Sequence, residues 1–262
     1  MHLTVGGVDT YAYTGTRDFD PARPTVLFVH GAGNDHSVWG LQSRYFAHHG
    51  RNAVAVDLPG HGRSAGDALD SIEALAGWLD ALVASIGATR VTMVGHSMGA
   101  LAVLELAGRS PAPIDRIALL GPAVPMAVSE ALLDAARRDD HEAFEMIVGW
   151  AHAPAALLGG HPVPGMWMAG GAMRLLERSR HGVLAADLAA CSAYANGLEA
   201  ARAVGCPALI VTGQRDLMAP PKSAQALIET LRDKRHVSLP NCGHSMMTEA
   251  PDEVLDALMA FL

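Results

Sequence analysis

Val91-Thr-Met-Val-Gly95-His-Ser97-Met-Gly99-Ala-Leu-Ala-Val-Leu-Glu-Leu-Ala-Gly108 passes from a short apolar run into a helical repeat, and the junction is one serine between two glycines. A run like Val91 to Gly95 is what a strand buried on both faces looks like. Gly95-His96-Ser97-Met98-Gly99 is therefore a G-x-S-x-G set between strand and helix, the context in which that pattern marks a nucleophile elbow. So tight a turn holds the serine in a strained backbone conformation and lifts its hydroxyl out of the sheet. The glycines leave room for the neighbouring strand and helix. Ser97 also stands at a helix N-terminus, where unpaired N–H groups and the helix dipole favour negative charge. Met98 N–H is thus a candidate oxyanion donor. His96 reads as structural, because the elbow points it away from the nucleophile.

Working outward, Thr25 to His30, Ala53 to Asp57, Arg116 to Leu120 and Ala208 to Thr212 are further apolar runs, each closing on or next to Gly, Asp or His. Helical patterns lie between them, as from Leu69 to Ile86, where Ile72, Leu75, Leu79, Leu82 and Val83 recur. Strands alternating with helices specify an α/β fold with a mostly parallel, doubly wound sheet, whose ligands bind at the carboxyl ends of the strands. The alternation stops after Leu120 and resumes at Pro207, ending in an apolar-periodic helix from Pro251 to Leu262. We expect a discontinuous core, 1–121 and 202–262, carrying a helical lid over 122–201.

A serine hydroxyl is a poor nucleophile at neutral pH and needs a base oriented by a carboxylate. Here the chain resembles the α/β-hydrolase family, over nearly its whole length outside the lid. The resemblance rests on Gly95 to Gly99, on His30-Gly31-Ala32-Gly33 and on Asp57-Leu-Pro-Gly-His-Gly-Arg-Ser64. It implies the α/β-hydrolase fold and the chain order serine, acid, histidine. Asn241-Cys242-Gly243-His244, before the last helix, then supplies the base. Thr212-Gly213-Gln214-Arg215-Asp216 supplies the acid, since the turn after the preceding strand, Leu119-Leu120-Gly121-Pro122, has no carboxylate. The expected triad is Ser97, Asp216 and His244, with Ala32 and Met98 N–H groups as the oxyanion hole. By the same resemblance the Asp57 to Ser64 loop is a structural turn in which Asp57 and Arg63 bond backbone. Asp35 and His36 read as loop surface groups.

The lid carries Met126, Met146, Trp150, Met166, Trp167, Met168 and Met173, with His152 and His161 among them. Flexible Met and flat indoles suit an adaptable apolar pocket wall as well as plain helix packing. We take Gly33, Trp150, Met166, Trp167 and Met246 as candidate pocket residues, and Arg174, Arg178 and Arg180 as a solvated helix face.

Of 262 residues, 50% are hydrophobic and 18% charged, enough for a large buried core. The net charge of -8 comes without a Lys or Arg run, which argues against nucleic acid or anionic membrane as partner. No signal peptide and no membrane-length apolar run is apparent. Cys191, Cys206 and Cys242 form an odd, scattered set without metal spacing, which fits a reducing compartment. The expectation is a cytoplasmic monomer or homodimer acting on a small molecule, with no metal and no cofactor: Gly31 to Gly33 lacks the G-x-G-x-x-G spacing for a dinucleotide. The expected reaction is hydrolysis of a small to medium carboxylic ester or lactone. One fold and one triad also serve carbon–carbon bond hydrolases of ring-fission products and cofactor-free perhydrolases. The carbon–carbon hydrolases usually have Trp directly after the catalytic His, where this chain has Ser245-Met246-Met247. A non-catalytic ligand receptor on the same fold is a further alternative, which an intact triad disfavours.

Overall fold

A computed structural model describes residues 1–109, 113–160 and 165–262, so His161 lies outside the described residues. Its strands are β1 (His2–Val5), β2 (Val8–Tyr13), β3 (Thr25–Val29), β4 (Asn52–Val56), β5 (Val91–His96), β6 (Ile114–Leu120), β7 (Ala208–Gly213) and β8 (Lys234–Leu239). They form one sheet in the order β1-β2-β4-β3-β5-β6-β7-β8, antiparallel at β1, β2 and β4 and parallel from β4 onward. The N-terminal hairpin was not expected from the sequence. It turns on Gly6 and Gly7, both at positive φ (58° and 83°), the two-glycine turn whose twist matches that of paired strands.

Alternation along the strands sends Leu27, Val29, Met93 and Ile210 to one face of the sheet, and Val26, Phe28, Val94 and Val211 to the other. The first face is covered by α2 (Ile72–Ile86) and α3 (Met98–Gly108), the second by α1 (Gly40–His48) and, at the chain's end, by the helix Pro251–Met259. Both faces of the central strands are buried, which is why their sequences are continuously apolar rather than alternating.

Hydrogen bonds past the strand ends hold the carboxyl edge together. Ser97 N donates to Leu120 O (2.9 Å), Gly121 N to Val211 O (2.9 Å) and Gln214 N to Leu239 O (2.9 Å). Loops leaving β5, β6, β7 and β8 are thereby aligned on one rim.

Between β6 and β7 the described residues form α4 (Glu130–Arg137), α5 (His141–Ala151), α6 (Pro154–Leu157), α7 (Met168–Glu177), α8 (Val183–Ala193) and α9 (Gly197–Ala203). The remaining helices are α10 (Gln225–Thr230), α11 (Met246–Glu249) and α12 (Pro251–Met259). Leu132, Leu133, Ala143, Leu184 and Leu188 make a small apolar cluster of the inserted helices' own. The boundary expected at 201–202 falls inside α9, and this is a correction. α9 packs so closely on α3 that a Cβ on Gly108 would lie 2.8 Å from Ala200 O, and Cys191, Tyr194 and Ala201 belong to the main core. The later part of the insertion is thus core layer, because small residues let two helices approach.

Candidate active site

Ser97 has φ 54° and ψ −118°, a conformation a non-glycine residue rarely adopts. It is imposed by crowding on both sides. A Cβ on Gly95 would come within 2.3 Å of Gly99 O, and one on Gly99 within 2.5 Å of His30 O. Larger residues at either position would push α3 away from β5 or β3. Ser97 O accepts Ala100 N (2.9 Å) and Leu101 N (3.2 Å), so the serine begins α3 directly and Met98 N–H is among the helix's unpaired donors.

His244 Nδ1 lies 2.6 Å from Asp216 Oδ2, with both side chains buried. A carboxylate only accepts, so Nδ1 carries a proton and Nε2 is the ring nitrogen left for another partner. Asp216 Oδ1 accepts Met218 N (2.8 Å) and Ala219 N (2.7 Å), which fixes the carboxylate's rotation. Gly121, at φ 58°, sits against the imidazole; a Cβ there would be 3.0 Å from His244 Cε1. Inserted residues hold the His244 loop as well: Ala151 O accepts the N–H groups of His244 (2.8 Å) and Ser245 (2.9 Å).

His96 Nε2 donates to His244 O (2.9 Å), and the two rings are 4.6 Å apart. Burial first, then the neighbouring His244, pushes the His96 pKa well below 6.5 and keeps the ring neutral. Its tie to backbone makes it a brace for the His244 loop. His30 is a second buried neutral histidine. Its Nδ1 donates to Gly31 O (2.9 Å) and its Nε2 accepts Leu58 N (3.1 Å), and burial, with His61 nearby, lowers its pKa to about 4.

Ser97, His244 and Ala32 border one cavity of about 390 Å³, roofed by α5, α7 and α8. Of the candidate pocket residues, Trp150 lines it. Gly33, Met166, Trp167 and Met246 do not, and each has another place. Gly33 is capped by Leu176 and Leu184, and its N–H donates to Asp187 (2.8 Å). Met166 and Trp167 precede α7 and are 43% and 69% exposed, the indole folded over Gly170. The inward face of α7 is instead Ala172 and Leu176, one turn apart. Met246 opens α11 and is buried under the second face of the sheet. Met126, one of the lid methionines, also lines the cavity, and residues the sequence reading passed over supply much of the rest of the wall: Val128 and Leu132 after β6, Ile147 on α5, and Leu217 and Met218 beside Asp216. Leu217 and Met218 carried a signal in their nearness to the carboxyl end of β7, whereas Leu132 and Ile147 lie within inserted helices and carried none. Among the described residues that line the cavity there is no Asp, Glu, Lys or Arg.

Of the polar groups outside the cavity, Asp57 bonds backbone as expected, while Arg63, Asp35, Arg178 and Arg180 differ from expectation. Asp57 accepts the N–H of Arg63 (2.9 Å) and both N–H (2.7 Å) and Nδ1 (2.8 Å) of His36, whereas the Arg63 guanidinium lies over the Tyr11 ring rather than on backbone. Asp35 is buried, accepting Ser37 N (2.9 Å) and bonding Arg178 (2.5 Å). Arg180 donates to Ser64 O (2.6 Å) and Gly66 O (3.2 Å). Arg178 and Arg180 thus fasten the inserted helices to the core loops instead of forming a free face.

Residues 26–257 match the profile of the Alpha/beta hydrolase family. Among curated proteins the chain is similar to an (E)-2-((N-methylformamido)methylene)succinate hydrolase of Acinetobacter baylyi, 26% identical over 91% of this chain and 90% of that protein. It is also similar to a pimeloyl-[acyl-carrier protein] methyl ester esterase of Aromatoleum aromaticum, 28% identical over 88% of this chain and 95% of that one. Among solved structures, the enol-lactonase from Burkholderia xenovorans LB400 superposes with a TM-score of 0.86 at 23% identity, over 100% of this chain and 99% of that one. Among the described residues no helix is long and apolar enough to cross a membrane.

Proposed function

The chain belongs to the alpha/beta hydrolase family, and from that premise we propose that it is a serine hydrolase of small to medium, uncharged carboxylic esters or lactones. Ser97 attacks the carbonyl while His244 Nε2 takes its proton, with Asp216 holding the imidazole and balancing its charge. The N–H groups of Ala32 and Met98 receive the oxyanion, which donors aimed at developing charge stabilise more than the ground state. The leaving alcohol takes the proton from His244. A water deprotonated by His244 then releases the acid from the acyl-enzyme.

The observation that carries the substrate class is the uncharged cavity. Its about 390 Å³ stands near the lower end of the roughly 300–1,000 Å³ typical of small-molecule sites, and Met126, Val128, Leu132, Ile147 and Trp150 give it an apolar wall. A substrate carboxylate would lose its hydration there with no cation to meet it, at a cost of several kcal/mol. That disfavours acidic ring-fission products, as does Ser245 in place of Trp after the base. The relatives named as esterase and lactonase favour ester chemistry, while the one named for a succinate derivative stands on the other side.

The test is a matched pair of p-nitrophenyl esters, butyrate and hemisuccinate. The butyrate is expected to have the higher kcat/KM by roughly 10²-fold, about 3 kcal/mol of uncompensated charge burial. Equal rates, or a preference for the hemisuccinate, would remove the uncharged-substrate reading.

A further inference from the structure

A second buried histidine–carboxylate pair lies outside the cavity wall and takes no part in the chemistry above. His61 Nε2 is 2.8 Å from Asp187 Oδ2, and both side chains are nearly inaccessible (2% and 1% exposed). His61 Nδ1 is 2.9 Å from Pro59 O, so both ring nitrogens face acceptors and both carry protons. Burial opposes that charge, but the Asp187 carboxylate outweighs it and the His61 pKa is raised. Burying two such groups is costly unless their geometry is close and their remaining donors and acceptors are also paired.

What Asp187 does is accept a third group. Gly33 N donates to the same Oδ2 at 2.8 Å. Gly33 is in the left-handed region (φ 66°) directly after Ala32, whose N–H is the proposed oxyanion donor. Two consecutive peptide planes are therefore locked. Gly31 O accepts His30 Nδ1 (2.9 Å) and Asn34 N (3.2 Å), and in a trans peptide the carbonyl and N–H point opposite ways, so this aims Ala32 N–H away from His30. The next plane, from Ala32 to Gly33, is held by Asp187. His30 belongs to the core, whereas Asp187 belongs to α8, whose Leu188 and Cys191 line the cavity.

We propose that Asp187, steadied by His61, is a positioning residue for the oxyanion loop, so that the seating of the inserted helix α8 and the aim of Ala32 N–H are one structural event. This rests on the serine-hydrolase reading for its purpose. Asp187 touches no reacting atom. Its effect is on where the oxyanion donor points, so its loss lowers the rate of attack at the carbonyl while ground-state binding in the apolar cavity is kept.

The experiment compares wild type, Asp187→Ala and Asp187→Asn at a temperature where each is folded by circular dichroism. It measures kcat and KM for p-nitrophenyl butyrate, and the second-order rate of Ser97 phosphonylation by a fluorophosphonate, a reaction that also develops charge on oxygen. Removing an oxyanion donor outright costs roughly 10²- to 10³-fold in kcat, so Asp187→Ala is expected to lose roughly 10- to 10²-fold in kcat and in labelling rate, with KM within threefold. Asp187→Asn keeps an oxygen for Gly33 but not the charge that holds His61, and is expected roughly three- to tenfold below wild type on both measures. If the alanine variant fails to fold, the asparagine rate decides. A folded variant with wild-type kcat and labelling rate overturns the proposal, as does a loss confined to KM. If the wild-type protein labels at Ser97 but turns over no ester, the substrate reading falls, and the labelling rates still test Asp187.

Discussion

Replacing Asp216 by Asn exchanges one carboxylate oxygen for an NH₂, and the surroundings decide which one. Oδ1 accepts two backbone N–H groups, from Met218 and Ala219, while Oδ2 meets His244 Nδ1 at 2.6 Å. Placing the amide nitrogen at the Oδ1 position would set donors against two donors in a buried turn and leave those N–H groups unpaired, at about 1–3 kcal/mol each. The amide oxygen therefore stays with the backbone, and the NH₂ faces Nδ1. The ring must then accept at Nδ1 and carry its proton on Nε2, the tautomer that cannot take a proton from Ser97. The expected loss in kcat is roughly 10²- to 10⁴-fold, about 3 to 5 kcal/mol of transition-state stabilisation. KM should change little, and a thermal melt should show the fold retained. The assay is steady-state hydrolysis of p-nitrophenyl butyrate alongside differential scanning fluorimetry. A folded variant within tenfold of wild-type kcat would refute the reasoning and send the acid role to another carboxylate.

Trp150→Ala enlarges the cavity wall and is expected to shift relative kcat/KM across a series of ester chain lengths by more than tenfold, about 1–3 kcal/mol of discrimination, whereas Trp167→Ala, at a 69% exposed indole, should leave the series within twofold. Stability should fall as pH drops from 6.5 toward 4. His30 is held neutral with a pKa of about 4, so the unfolded chain takes up a proton in that window that the native state refuses, worth about 3 kcal/mol in a urea titration. His61 acts on the other limb: its pKa is raised, so its contribution is complete below 6.5 and is lost as pH rises through its folded value. A flat urea midpoint between pH 6.5 and 4 would contradict the buried-neutral assignment of His30.

Strands and the elbow were legible because burial on both faces leaves a continuous apolar run, and because Gly95 and Gly99 are demanded by backbone atoms within 2.6 Å of any added Cβ. Asp216 and His244 were legible through the family resemblance, whose serine, acid, histidine order puts them after successive strands that the sheet's parallel topology brings together. The cavity wall was not. Which residues of α5, α7 and α8 face Ser97 depends on how each helix is rotated, and that is set by long-range ties such as Ala151 O to His244 N, Arg178 to Asp35 and Asp187 to His61. Trp167 drew attention by size, yet it stands one residue before α7 and turns outward. The hairpin β1–β2 was missed although Gly6-Gly7 announces it, since its strands are short and half exposed. Asp187 carried no local signal at all; its partners are 126 and 154 residues away in the chain.

Intact-mass and peptide mass spectrometry after fluorophosphonate treatment, with ester turnover measured on the same samples, tests most directly the claim that Ser97 is the nucleophile. One adduct is expected, on the peptide bearing Ser97, with turnover abolished in step. Ser97→Ala should take no adduct and lose roughly 10³-fold or more in kcat, because members of such a triad act as a unit. An adduct on a different residue, or a Ser97→Ala protein that keeps its turnover within tenfold of wild type, would contradict the account.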